Sequence, residues 1–257
     1  MPINVPTKHN QKLTQVAEKI NQDAELHQLW KCSNINAVDR SGISDHGEVH
    51  IRIVTNIALK LLRLLVDAGI QPSIVKNYGL TNDDAEVIVV LAECLHDVGI
   101  AIHREDHEHH SLMLAAPKLK ELLDGVYSGE ERVIITSEVL HAIIAHRWDV
   151  PCLTIEAGVV KVADALDMTQ GRSRIPFEAG QVNIHSVSAA AIDSVTLKRG
   201  EVKPISIQII MSNSAGIFQL DQLLKRKLRN SSIVDYVEIE AKIEGEVEKR
   251  LVKMYTF

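Results

Sequence analysis

With 257 residues, 46% of them hydrophobic, and a formal net charge of −6, the chain is long enough to bury a large core and too acidic to be a primarily electrostatic nucleic-acid binder. Its three cysteines, Cys32, Cys94 and Cys152, form no CxxC pair and are odd in number, which argues against a disulfide framework or a zinc ribbon and fits the reducing cytoplasm. The opening MPINVPTKHNQKLTQ lacks the apolar region of a signal peptide, and no stretch approaches the roughly 18 uncharged apolar residues of a spanning helix, so no membrane association is expected.

From about residue 8 to residue 170 the apolar spacing is helical, predicting an all-α part. A first helix near 8–31 places Leu13, Val16 and Ile20 on one face, and a second runs from about His46 to Ala68. Asp45 with Glu48 reads as a capping box for the second, and Gly69 as the residue just past its end. A third helix begins near Thr81 and Asn82, contains VIVVLAECL and closes around Gly99; being apolar on nearly every face, it belongs at the centre. A fourth starts near Glu105 and meets Pro117, which should kink or divide it. A fifth spans roughly 130–146, and Thr154 caps a sixth, TIEAGVVKVADALDM, that stops before Gly171.

After Pro176 the texture changes. IDSVTLKR and KPISIQIIM flank a turn and read as a β-hairpin, DQLLKRKLRNS as one amphipathic helix, and DYVEIEAKI with KRLVKMYTF as a second hairpin. The expected architecture is therefore mainly α: a helical domain over residues 1–174 and a small α+β appendage over 175–257, ββαββ with an antiparallel sheet. The appendage carries no obvious catalytic pattern, so regulation or homodimer formation through its edge strands is its expected role. The small residues Ser212 to Gly216 offer either a helix cap or an anion site.

Five of the twelve histidines fall between residues 95 and 110, in LHDVGIAIHREDHEHH. His50 begins a helical stripe continued by Val54, Ile57, Ala58 and Leu61, so its ring points inward. His96 and Asp97 end the most apolar helix, where an ionised carboxylate beside an imidazole costs several kcal/mol unless a partner or a cation compensates. Lys161, Asp164 and Asp167 share one helix face, either a solvated stripe or one wall of a polar pocket.

His50 in HIRIV, His96-Asp97 in LHDVG and Asp164 in KVADALDM, taken in order, resemble the H…HD…D pattern of the HD superfamily of metal-dependent phosphohydrolases, over about residues 40–170. The resemblance implies that these four side chains hold a divalent cation, with His96 and Asp97 at the catalytic centre. It implies His107 and His146 as ligands of a second ion, which Asp97 would bridge; His103, His110 and His141 are the competing positions. The cofactor expectation is one or two ions of Mn, Fe, Ni, Co, Zn or Mg. His103 and Lys161 are further catalytic candidates, while Arg104, Arg172, Arg174 and His46 are candidates for substrate binding. The implied activity is hydrolysis of a phosphate mono- or diester, nucleotide-like by family analogy. Two alternatives use the same residues: a mixed-valence di-iron oxygenase, and a nucleotide-binding regulatory module without turnover.

Overall fold

The computed structural model describes residues 2–169 and 188–244. Eight helices come first: α1 (Gln11–Gln22), α2 (Ala24–Asn34), α3 (Glu48–Asp67), α4 (Ser73–Tyr78), α5 (Asn82–Leu95), α6 (His107–Leu122), α7 (Gly129–Ala145) and α8 (Ile155–Leu166). A π turn, Ile35–Arg40, extends α2, and a 3₁₀ turn, Val98–Ala101, follows α5. Among the described residues the C-terminal part has strands β1 (Ile192–Arg199), β2 (Ile205–Met211) and β3 (Val237–Ile243), with a helical run over 217–229, here α9, between β2 and β3.

The apolar third helix lies where its composition requires. Every residue of α5 from Asp84 to Leu95 is buried, and α1, α3, α7 and α8 pack around it. Burying each Leu, Ile or Val there contributes about 1.5–3 kcal/mol. Its start is a capping box, Thr81 with Asp84, each reaching the other's backbone N–H. Gly69 terminates α3 as expected: at φ +83° it turns the chain, and Ile70 N donates back to Leu65 O at 3.0 Å.

Several expectations change. The single helix over 8–31 is two, because Asp23 leaves helical geometry at ψ 95° and its carboxylate accepts from Leu26 N, capping α2. Asp45 and Glu48 form no capping box. Gly47 is the cap residue, Asp45 accepts from the amides of Gly47 and His50, and Glu48 pairs with His27. Helix α6 runs unbroken through Pro117, which is exposed, as is Met113 one turn earlier, so the carbonyl that loses its partner lies on the solvent side. The short α4 was not expected; the Glu156 carboxylate on α8 accepts from Ser73 N and Ile74 N and caps it.

The sheet is mixed, not antiparallel. β1 and β2 form the expected antiparallel hairpin, but β3 pairs parallel to β2, Ile205 with Val237 through Met211 with Ile243. The cause is α9, because a strand reached through a crossover helix returns in the same direction. KRLVKMYTF and the expected boundary at 174/175 lie outside the described residues.

The hydrophobic core is continuous between the two parts. Leu224, Leu228 and Ile233 are buried in the same cluster as Val159, Val162 and Leu91. Contact is close at Gly158, where a Cβ would stand 2.3 Å from Ser232 Oγ. Ser212 to Gly216 serve as a cap: Asn213 Oδ1 accepts from Ala215 N at 2.9 Å.

Candidate metal centre

The first ligand-type group comes from α3, α5 and α8. His50 is in the first turn of α3, held by the Asp45 carboxylate on its amide at 3.1 Å. His96 caps the end of α5 and Asp97 follows it. The carbonyls released there are taken up by α2 and its π extension: Trp30 Nε1 donates to Cys94 O at 2.8 Å, Ser33 Oγ to Asp97 O at 3.2 Å, and Asn36 Nδ2 to Ile100 O at 2.7 Å. Asp164 stands in the last turn of α8.

These four side chains meet. His50 Nε2 lies 3.4 Å from His96 Nε2 and 3.5 Å from both Asp97 Oδ2 and Asp164 Oδ1. His96 Nε2 lies 3.2 Å from Asp97 Oδ2 and 3.8 Å from Asp164 Oδ1. Ligands bonded to one ion at metal–ligand distances of about 2.0–2.2 Å stand roughly 3.0–3.5 Å apart, so the set fits a divalent cation of the N/O-binding kind.

A second group adjoins it through Asp97. His107 Nε2 is 3.1 Å from Asp97 Oδ1 and 3.2 Å from His146 Nε2, and His146 Nε2 is 3.9 Å from that oxygen. Asp97 therefore turns Oδ2 to one group and Oδ1 to the other. The approach of α6 depends on Gly99 in LHDVG: a Cβ there would stand 2.2 Å from His107 O and 2.4 Å from Ser111 N. Ser111 Oγ fastens the contact, donating to His96 O at 2.6 Å and accepting from Gly99 N at 2.9 Å. Asp106, before His107, adopts φ +56°, a region Asp tolerates, and pairs with Arg147, after His146, at 3.0 Å.

All four rings are oriented from behind. Nδ1–H donates to Asp167 Oδ2 from His50 at 2.7 Å, to Glu93 O from His96 at 2.9 Å, and to Ile143 O from His146 at 2.6 Å. His107 Nδ1 lies 3.1 Å from Arg104 O and 2.7 Å from Arg104 Nη1, and only donation to the carbonyl leaves its Nε2 lone pair for a cation. Such outer contacts fix the tautomer and raise the basicity of a metal-binding imidazole.

The buried charges of the cluster are strongly coupled. Burial raises the carboxyls of Asp97 and Asp164, yet His96 beside the first and Lys227 beside the second hold both well below the usual carboxylate range. Burial lowers His96, but Asp97 and then Asp164 outweigh it and lift the imidazole to about 9. Burial, reinforced by His96, holds His146 well below the ordinary histidine value. Behind His96 is Glu93, fully buried, with neither carboxylate oxygen hydrogen-bonded and Oε2 3.6 Å from His96 Nδ1. Burial pushes that carboxyl up to about 8.

No family model matches the chain, and no solved structure matches it. Over 231 residues, 90% of this chain and 89% of the relative, it is 44% identical to an uncharacterized protein of Methanocaldococcus jannaschii. The chain belongs to that protein's family. No helix among the described residues is long and apolar enough to cross a membrane.

Of the residues expected to act, His50, His96, Asp97, Asp164, His107 and His146 come together. Lys161 does not join them. It is fully buried, with its ammonium donating to Val150 O and Asn230 O. Neither does His103, whose exposed ring accepts from Glu105 N at 3.0 Å. Arg104 is exposed but touches His107, while buried His46 bonds Ser44 O and lies ring to ring with His50 at 5.5 Å. His141 accepts from Leu153 N, and His110 makes none of the contacts that unite the second group. Arg172 and Arg174 lie outside the described residues. Three neighbours of the centre were not among the expected site residues: Asp167, Glu93 and Lys227. Asp167 carried a signal, its place on the Lys161/Asp164 face; a fully buried acid in VIVVLAECL was another; Lys227 had none.

Proposed function

We propose that this protein is a metal-dependent phosphohydrolase of the HD superfamily, hydrolysing a phosphate mono- or diester of nucleotide type. The observation that carries the reading is the pair of adjoining ligand groups, four inward Nε2 atoms and two carboxylates, joined by the two oxygens of Asp97. When bound, divalent cations supply Lewis acidity toward a phosphoryl oxygen and a water that ionises near neutral pH. The chain's own part is to hold four rings in one tautomer, to keep Asp97 and Asp164 ionised and to exclude bulk water, since these ligand side chains are at most 12% exposed. Support for a nucleotide comes from the rim. Trp148, two residues beyond His146, is 54% exposed and carries the Arg226 guanidinium 5.8 Å from its ring centre, planes of the kind on which bases stack.

The test is phosphate release from nucleoside monophosphates, cyclic nucleotides and bis(p-nitrophenyl) phosphate across Mn, Ni, Co, Fe, Zn and Mg. Asp97→Asn should lower the rate about a thousandfold or more. Parental turnover by folded Asp97→Asn protein, or no release with any of these metals, would sink the proposal.

One observation favours the di-iron oxygenase reading: His107 and His146 do converge on Asp97, giving six ligand-type side chains for two ions. Protein purified without oxygen and loaded with iron separates the two. Oxygen consumption without phosphate release supports the oxygenase, and metal-stimulated phosphate release supports the hydrolase. Tight nucleotide binding with neither activity would support the regulatory module.

A further inference from the structure

Lys227 belongs to α9, in the C-terminal part, yet its ammonium binds Asp164 Oδ2 across 63 residues of sequence. The other oxygen of that carboxylate faces the His50 and His96 rings. Asp164 thus has one side toward the ion site and one toward a lysine. Solvent reaches the cluster on this side. The side chains of His50 and His96 are 0% exposed and that of Asp97 4%, whereas Asp164 is 12% and Lys227 17% exposed.

The position of Lys227 is set by a mesh at the end of its helix. Asn230 O accepts from Cys152 N at 3.0 Å and from Lys161 Nζ at 3.3 Å, and Asn230 Nδ2 donates to Trp148 O at 2.8 Å. Arg226 lies over the Trp148 ring. These contacts tie α9 to the loop that follows His146. They give Lys161 a purpose: its buried ammonium joins Val150 to Asn230 and so holds the segment that carries Lys227. A cation placed by packed and hydrogen-bonded supports is preorganised for an incoming anion.

We propose that Lys227 is the phosphate-binding cation of the metal centre, delivered by the C-terminal part to the side from which substrate enters. The inference rests on the phosphate-ester reading of the same site. An ammonium has three N–H donors, and among the described residues Asp164 is the hydrogen-bonded partner of this one. Its remaining donors are what an equatorial phosphoryl oxygen needs beside the ligand cluster.

The test uses full-length protein loaded with Mn²⁺ and inorganic phosphate as the probe, followed by calorimetry. Lys227→Met should weaken phosphate binding roughly 10- to 100-fold, the loss of one charge-assisted bond. Lys227→Arg should recover most of it, and Mn²⁺ stoichiometry should stay unchanged in both. Unchanged phosphate affinity in Lys227→Met overturns the proposal and leaves Lys227 a tether for α9. Should Lys227→Met not fold, the parent decides: phosphate should shield Lys227 from amine acetylation, read by mass spectrometry, only when Mn²⁺ is present. Absence of shielding overturns the proposal. Phosphate bound through Lys227 without hydrolysis of any ester sinks the hydrolase reading alone; hydrolysis with unaltered phosphate affinity in Lys227→Met sinks this one alone.

Discussion

The two ligand groups share a carboxylate but not a foundation. The first is set in the interior: α3, α5 and α8 pack against one another, and residues 91–100 around His96 and Asp97 are all buried. The second is set on a rim: His107 opens α6 after the exposed residues 102–106, and His146 closes α7 just before exposed Trp148 and Asp149. Beyond the packing of α7 on α5 and α8 and of α6 on α7, the rim is fastened by the Gly99 approach, the Ser111 hydroxyl and the Arg147–Asp106 pair. The first group is carried by the central helices, while the approach of His107 to Asp97 also needs close rim contacts that single substitutions can loosen.

Metal counting breaks the comparison most directly. His107→Ala should bind one equivalent of Mn²⁺ where the parent binds two, whereas His50→Ala should lose the tighter equivalent and with it phosphate-ester turnover. Loss of both ions from His107→Ala, read by elemental analysis after gel filtration, would show that the rim supports the interior. Gly99→Ala comes next. Its methyl must displace backbone at His107, an overpacking cost of about 1–3 kcal/mol, so Tm should fall by several degrees, at about 2–4 °C per kcal/mol, and the second equivalent should weaken first. If the first equivalent weakens more, the two groups are not separable as described.

Asp167→Asn sharpens the contrast from the other side. Removing the carboxylate behind His50 should reduce affinity at the first site by about 10- to 100-fold, without changing the second or the number of ions. Equal losses at both sites, by competitive chelator titration, would contradict it. A last contrast concerns Glu93. Its carboxyl sits at about 8 in the folded protein against an ordinary 4.5, so the fold binds the extra proton. Stability of the metal-free protein therefore falls as pH rises from 4.5 through 8. Glu93→Gln should remove that slope and melt above the parent at pH 8.5, with the gap closing by pH 5. A constant gap across that range would mean that the proton is not held there.

Sequence made the interior group legible because its members sit in short local patterns: HIRIV, LHDVG and KVADALDM. His107 and His146 were legible as residues, but their joining at Asp97 Oδ1 needed the Gly99 approach, a tertiary contact. Asp167 resembled a solvated face, because a charged stripe at helical spacing looks the same whether water or an imidazole lies opposite. Lys227 sat in KRKLR, an ordinary amphipathic helix until α9 is laid on α8. The same crossover reversed β3, whose alternation in DYVEIEAKI fits either direction of pairing. The break at Asp23 was hidden because one capping aspartate ends α1 and starts α2 without disturbing the apolar period.

The place of Lys227 in the chain also orders how the site comes into being. All six ligand-type residues lie between His50 and Asp164, and the lysine arrives 63 residues after the last of them. Because Leu224, Leu228 and Ile233 share one core with Val159, Val162 and Leu91, the ligand-bearing helices complete their packing only once α9 has been made.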